Sequence, residues 1–217
     1  RLLRGRRLPR MPIGLALLLN EVRISWYKRT VQTVTYLPFF FSWVVLGGIF
    51  LMLFSMNGPV NQIVTWFGLE PQEFLTSDAW FITVLITTGI WQGVGYGSVI
   101  YLAALAGISP TLYEAAVVDG AGRWKQTLHI TLPSLVPTMI TLFILSLGGI
   151  LTAGFDQIYN MYNPMVYDVA DIVDTYVLRR MMALDLSLAT AAGMFKGVVG
   201  LVLVVGANFF ARKISKG

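Results

Sequence analysis

The chain has 217 residues, 56% of them hydrophobic and only 12% charged, with a mean hydropathy of +0.69. That is too apolar for a soluble domain of this length, and several runs are long enough to span a bilayer. The formal net charge of +5 sits beside those runs, so membrane orientation accounts for it better than nucleic acid does, while zero Cys and a single His exclude disulfides, thiolate chemistry and a His-pair metal site.

Taken in order, the chain opens on a basic head, Arg1, Arg4, Arg6, Arg7 and Arg10, followed by the apolar stretch Met11 to Leu19. This is not a signal peptide, because the apolar part is short and no small-x-small cleavage site follows. About nine apolar residues fall short of the roughly 20 that span hydrocarbon, so a partial or surface-lying helix is expected. Arg23, Lys28 and Arg29 lie in a loop at 20–33. Four full spans are predicted, at about 34–56, 80–105, 135–155 and 188–210. Between the first two, residues 57–78 carry Glu70, Glu73 and Asp78 and no Lys or Arg. A second acid-rich loop covers 156–187, and Arg212, Lys213 and Lys216 follow the last span. Lys and Arg therefore gather in the loops at 20–33, 106–133 and 211–217, with Arg179 and Arg180 as the exception. The positive-inside rule puts those loops and the C-terminus in the cytoplasm. The predicted class is an all-α, multi-pass membrane protein.

The polar interruption at 109–133 reads SPTLYEAAVVDGAGRWKQTLHITLP. Ser109 suits a helix N-cap and Pro110 the first helical position. Thr111 to Val118 form a first short helix, and Asp119-Gly120 break it, since Gly accepts the left-handed backbone that ends helices. Ala121 to Ile130 form a second helix, which Pro133 is expected to end. The expected product is a helix–turn–helix wedge outside the bilayer.

Glu114-Ala115-Ala116, then Gly120, then Ile130-x-Leu132-Pro133, resembles the EAA loop of ABC-importer permeases, spacing included. Further stretches resemble one branch, the LplB-like carbohydrate-uptake permeases: Asn20-Glu21-Val22-Arg23, Thr35-Tyr36-Leu37-Pro38, Gly148 to Leu151, Tyr162 to Tyr167, and Asp174 to Val177. The likeness runs from about Met11 onward. The family has a first membrane helix and a full second one that this chain lacks, so a fragment or an altered start is expected. Residues 1–33 then read as basic head and partial helix, and 34–217 as the permease transmembrane domain. The resemblance implies a type I ABC importer fold whose cytoplasmic loop docks into an ATPase groove through Glu114, Ala115, Ala116, Asp119, Gly120, Ala121, Ile130, Leu132 and Pro133. It also implies an ATPase dimer that holds ATP and Mg, a second permease subunit of a different sequence, and an extracytoplasmic substrate-binding protein. No Gly-x-x-x-x-Gly-Lys-Ser/Thr occurs, so the chain does not cradle ATP itself.

Other residues have competing readings. Trp91, Gln92 and Tyr96, with Asp156, Gln157, Tyr159 and Asn160, mix flat apolar faces with hydrogen-bonding groups, as a sugar pathway requires; aromatics at span ends also form the ordinary interfacial belt. Lys196 lies inside the last span and is either a pathway or ion-pair residue or a long side chain reaching for the outer interface. Asp168, Asp171 and Asp174 recur every third residue, as on one side of a solvated acidic helix or, less simply, a cation site. Gly-x-x-x-Gly recurs in the second and last spans and fits packing within the chain or between two copies. His129 has no acid or Ser partner and reads as a surface residue. The alternatives are the same machine with another cargo (amino acids, peptides, phosphate), an inactive fragment, or an intramembrane enzyme. That enzyme would need paired carboxylates inside spans, and none is visible.

Overall fold

The computed structural model describes residues 10–148 and 154–214, without the side chains at 10, 147, 148 and 210–214. The expectations placed on most of the basic head, on Gly149 to Leu151 and the end of the third span, and on Lys216 fall outside these residues. Every regular element among the described residues is helical. Two helices are each long and apolar enough to cross a membrane, Arg123–Ser146 and Leu186–Phe209, or up to four spans if each of two bent helix pairs counts as one.

The chain divides into two compact units. The first holds residues 1–39, 91–146 and 210–217. It contains α1 (Arg10–Glu21), α2 (Ser25–Tyr36), the second half of α5 (Asp78–Ala106), α6 (Pro110–Val118), α7 (Arg123–Gln126) and most of α8 (Leu132–Gly148). α1 packs on its neighbours through one face. Ala16 is fully buried and Leu19 nearly so, and Ala16 packs with Tyr101 and Leu105 of α5 and Leu135 of α8, flanked by Ile13, Leu17 and Met139. Two glycines of α5 admit this packing. A Cβ on Gly95 would run into the Thr35 carbonyl oxygen, and one on Gly97 would stand 3.1 Å from the Pro12 ring. Gly93, on the same helix, meets nothing within 4 Å.

The second unit holds residues 40–90 and 147–209. It contains α3 (Trp43–Leu53), α4 (Pro59–Trp66), the first half of α5, α9 (Phe155–Met161), α10 (Tyr167–Ala170), α11 (Val173–Met182) and most of α12 (Leu186–Ile214). Phe74, Phe81, Val84, Met161 and Val166 form its core, with Trp43, Phe50 and Phe54 packed against them. α3 meets α9 closely because Gly47 faces Asn160, whose Cβ lies 3.0 Å from where a glycine Cβ would be. The buried Asn61 closes the segment between α3 and α5. It accepts from the Gln72 N–H at 2.8 Å and donates to the carbonyls of Ser55 and Gln72 at 3.1 and 3.0 Å.

Several expectations are corrected. The run at 34–56 is not one helix. α2 begins inside the expected loop at 20–33, tightens to a 3₁₀ turn at Leu37–Phe40, and gives way at Ser42 to extended backbone (φ −68°, ψ 151°) before α3. Pro38 lies in the tightened turn, where it lacks an N–H and its ring crowds the carbonyl four residues back. The polar segments at 57–78 and 156–187 also hold α4 and α9 to α11, apart from the residues that continue into α5 and α12.

Gly95→Ala is expected to lower the melting temperature of the detergent-purified protein sharply, since backbone opposes backbone there. Gly97→Ala should cost less, because a proline ring edge can shift. Gly93→Ala should be neutral or better, as Ala is the stronger helix former by about 1 kcal/mol. A thermal shift series across the three checks this order.

Candidate functional site

The wedge expected at 109–133 is built within the first unit. Across Gly107 to Ser109 the chain turns 68° from α5 into α6. Ser109 has the extended backbone of an N-cap (φ −61°, ψ 127°) and Pro110 occupies the first turn, but the Ser109 hydroxyl bonds Thr111 Oγ1 at 2.8 Å rather than a backbone amide. α6 ends in a full Schellman motif. The Ala121 N–H donates to the Ala116 carbonyl at 2.8 Å and the Gly120 N–H to the Val117 carbonyl at 3.0 Å, with Gly120 left-handed at φ +74°. Ala116, Gly120 and Ala121 therefore turn the chain. Gln126 Nε2 donates to the Ala121 carbonyl at 2.8 Å, and the hydroxyls of Tyr113 and Thr131 pair at 3.0 Å, bracing one leg against the other.

The second leg differs from expectation. It starts at Arg123 and does not stop at Pro133. Residues Thr127–Thr131 form a π turn, in which the Leu132 N–H reaches back five residues to the Thr127 carbonyl. This wider turn takes in His129, whose carbonyl the Pro133 ring would otherwise meet, so the helix runs on through Pro133 and Pro137 into α8. Ile130 and Leu132 are half-buried, Pro133 is exposed, and the exposed His129 turns Nδ1 to the Lys125 carbonyl at 3.0 Å.

Glu114, Ala115, Asp119 and Gly120 are exposed. So is an apolar set that sequence reasoning passed over, with Leu112 at 50%, Val117 at 63%, Val118 at 87% and Trp124 at 78%. The available signal was large apolar residues inside a segment read as lying outside the bilayer. Such a patch on a short braced helix is what a protein groove binds.

The proposed pathway residues fall into the two units separately. In the first, Trp91 and Tyr96 are half exposed, Tyr96 stacks on Phe39 with ring centroids 4.0 Å apart, and Gln92 Nε2 donates to the Phe39 carbonyl at 3.5 Å. In the second, Asp156 is exposed in the first turn of α9, where the helix dipole favours an anion. Tyr159 is exposed and stacks on Phe155. Gln157 is different: it is buried, and its Nε2 donates to the Leu85 carbonyl at 2.7 Å and Thr88 Oγ1 at 2.9 Å. Asn160 Nδ2 likewise donates to the Asp156 carbonyl at 2.7 Å while its Cβ fills the space beside Gly47. The Gln157 amide ties α9 to α5, whereas the Asn160 amide bonds within α9 and its Cβ and backbone meet α3.

Lys196 makes an ion pair with Asp174 of α11, each side chain about one-fifth exposed. The alternative of an unpaired side chain reaching for the interface is set aside. The pair lines a groove of about 580 Å³ with Val177, Leu201 and the bare backbone of Gly193 and Gly197. A Cβ on either glycine would meet nothing within 4 Å, so the last helix's Gly-x-x-x-Gly does not serve packing within the described chain.

The three Asp residues do not share a helix side. Asp168 is exposed on α10 and Asp171 follows that helix, while Asp174 opens α11. Asp171 takes a bidentate pair from Arg179 at 2.7 and 2.5 Å and the Thr175 hydroxyl at 2.5 Å. Arg179 also stands over the Tyr167 ring, and Arg180 pairs loosely with Asp185 at 3.9 Å. Both arginines that broke the charge rule are therefore neutralised locally. Among the described residues no group of His, Cys, Asp and Glu could hold a metal ion.

The chain belongs to the family of binding-protein-dependent transport system inner membrane components, whose model matches residues 12–216. It is 43% identical to Protein LplB of Bacillus subtilis (strain 168) over 209 residues, which is 94% of this chain and 65% of LplB. It is equally 43% identical over 208 residues to the polygalacturonan/rhamnogalacturonan transport system permease protein YteP of the same strain, covering 95% of this chain and 65% of YteP. The chain therefore spans just under two thirds of the length of these curated relatives. Among solved structures it is similar to a bacterial ABC transporter involved in the import of the acidic polysaccharide alginate (TM-score 0.91, 44% identity, 94% of this chain and 72% of that one). It is also similar to a bacterial alginate ABC transporter in complex with an alginate pentasaccharide-bound periplasmic protein (TM-score 0.94, 43% identity, 98% and 75%).

Two outcomes follow from this geometry. Gly120→Ala should weaken the turn by about 1–2 kcal/mol, the cost of a left-handed non-glycine backbone, and Gly120→Asn by less. There is open space at Gly120, so strain alone acts; helicity at Ala115 and Ala116, read by amide hydrogen exchange, checks it. At Asp171, burial pushes the carboxyl up, but the bonds from Arg179 and Thr175 outweigh it and hold it below the usual range. A depressed carboxylate contributes stability above its unfolded value, about 3.9, and loses it as pH falls through the folded value. Stability should thus be flat in this group from about pH 5 to 8 and fall only in stronger acid, a fall that Asp171→Asn abolishes in pH-resolved melting curves.

Proposed function

We propose that the chain is a permease subunit of an ABC importer that carries carbohydrate, as oligo- or polysaccharide, across the cytoplasmic membrane by ATP-driven alternating access. The observation that carries the reading is the braced α6 helix. It presents exposed apolar residues, and the leg that follows it is the start of the membrane-length helix Arg123–Ser146. Force applied to such a helix by a nucleotide-binding partner reaches the membrane without passing through a flexible joint.

In this reading an ATPase dimer binds ATP and Mg and closes; its groove holds the loop through Val117 and Val118 of α6 and Trp124 of α7, with Glu114 and Asp119 at the rim. Closure moves the loop and tilts the spans, which changes the side to which the pathway opens. The chain itself makes and breaks no covalent bond. A second, different permease subunit completes the pathway, and an extracytoplasmic binding protein delivers the cargo. The saccharides named for the relatives support the cargo class. Exposed Trp91, Tyr96, Asp156 and Tyr159 offer the ring faces and hydroxyl partners that a saccharide uses.

The test is purification from the host in mild detergent, followed by uptake in proteoliposomes against a panel of labelled oligosaccharides, amino acids and peptides. An ATPase should co-purify and only oligosaccharide uptake should depend on ATP. Trp124→Ala and Val118→Asp should weaken ATPase retention by roughly 10- to 100-fold, the range of buried interface anchors. Uptake of another solute class would overturn the cargo; retention of the ATPase by both variants would overturn the docking surface.

A further inference from the structure

Glu21 and Arg123 lie 102 positions apart in sequence, yet Arg123 Nη1 donates to Glu21 Oε2 at 2.6 Å. Among the described residues no other ion pair lies within the first unit, the remaining pairs belonging to the second. Both side chains are more than half exposed, so neither is there to cover apolar surface. Neither suits its own helix. Glu21 is the last residue of α1, where the dipole disfavours an anion. Arg123 is the first residue of the helix that runs on as Arg123–Ser146, where the dipole disfavours a cation. Only the pair between the two helices makes favourable use of both.

Its position explains what the pair can do. Arg123 follows directly on Gly120-Ala121-Gly122, the turn between the two legs of the loop. Glu21 ends a helix whose middle, at Ala16, is packed against Tyr101, Leu105 and Leu135, in the two helices that flank the loop. We propose that Glu21 and Arg123 form a strap that fixes the second leg of the coupling loop to α1. Displacement of the loop then moves α1 and its packed neighbours together with the second leg. Both are positioning residues; neither touches solute or nucleotide. The inference rests on the importer reading above.

The experiment uses the whole assembly in proteoliposomes and reads ATP hydrolysed per solute imported. Glu21→Gln and Arg123→Gln keep size and polarity and remove the pair. Each should raise that ratio by about two- to fivefold, the range an exposed ion pair supplies, with the ATPase still co-purifying. The reversed pair, E21R with R123E, restores the contact and places each charge at the helix end that favours it, so it should return the ratio to within about twofold of wild type. A structural role alone would alter yield or melting and leave the ratio unmoved. Single variants with the wild-type ratio, or a reversed pair no better than the singles, would overturn the strap while leaving the importer reading intact. A wild-type assembly that hydrolyses ATP and imports nothing would overturn both.

Discussion

The π turn at Thr127–Thr131 is the constraint on which the loop's mechanics depend. Pro133 deletes an amide and would press its ring on the His129 carbonyl. By letting the Leu132 N–H reach the Thr127 carbonyl, the chain widens one turn and keeps the helix whole from Arg123 to Gly148. A stop at Pro133 would have left the wedge hanging on a hinge. As built, its second leg is the beginning of a membrane-length helix, and only the first leg, ended by the Schellman turn at Gly120, is a separate piece.

In the first unit close helix approach accompanies the packing of Tyr101, Leu105 and Leu135. The core around Ala16 is small, and α1, α2 and α5 meet where Gly95 and Gly97 leave backbone bare. Lipid tails are as apolar as leucine, so helix association in a bilayer rests on such contacts and on polar pairs. In the second unit the same logic appears at Gly47, where the Asn160 Cβ and backbone fill the space a side chain would have taken, and at Gly89, where the Gln157 amide does. The bare glycines of α12 are the exception. They line an open groove beside an Asp174–Lys196 pair, and no part of the described chain packs on them.

Much of the loop at 109–133 was legible because its chemistry is local. Ser109-Pro110 start a helix and Gly120 ends one through backbone preferences that act within a few residues. The apolar runs that became α5 and α12 were legible for a similar reason, since length and hydropathy are properties of the run itself. Gln157 misled because an amide among aromatics reads the same whether it faces a sugar or a neighbouring helix's backbone. Lys196 stayed open because its partner, Asp174, lies 22 residues away on another helix. Arg179 and Arg180 looked like violations of the charge rule only because Asp171 and Asp185 could not be assigned to them in advance.

The sequence by itself determined the class: apolar runs of spanning length, basic residues segregated to alternate loops, and one polar segment with a glycine turn. Those features follow from the cost of placing polar groups in hydrocarbon, which accrues residue by residue and needs no knowledge of neighbours. Only the tertiary structure decided where helices break and where they run on, as at Pro38 and Pro133. It alone decided which amides and charges pair, as at Gln157, Asp171, Lys196 and Glu21. These outcomes depend on groups brought together from distant parts of the chain, and a pairwise contact of that kind has no signature in either partner's own sequence neighbourhood.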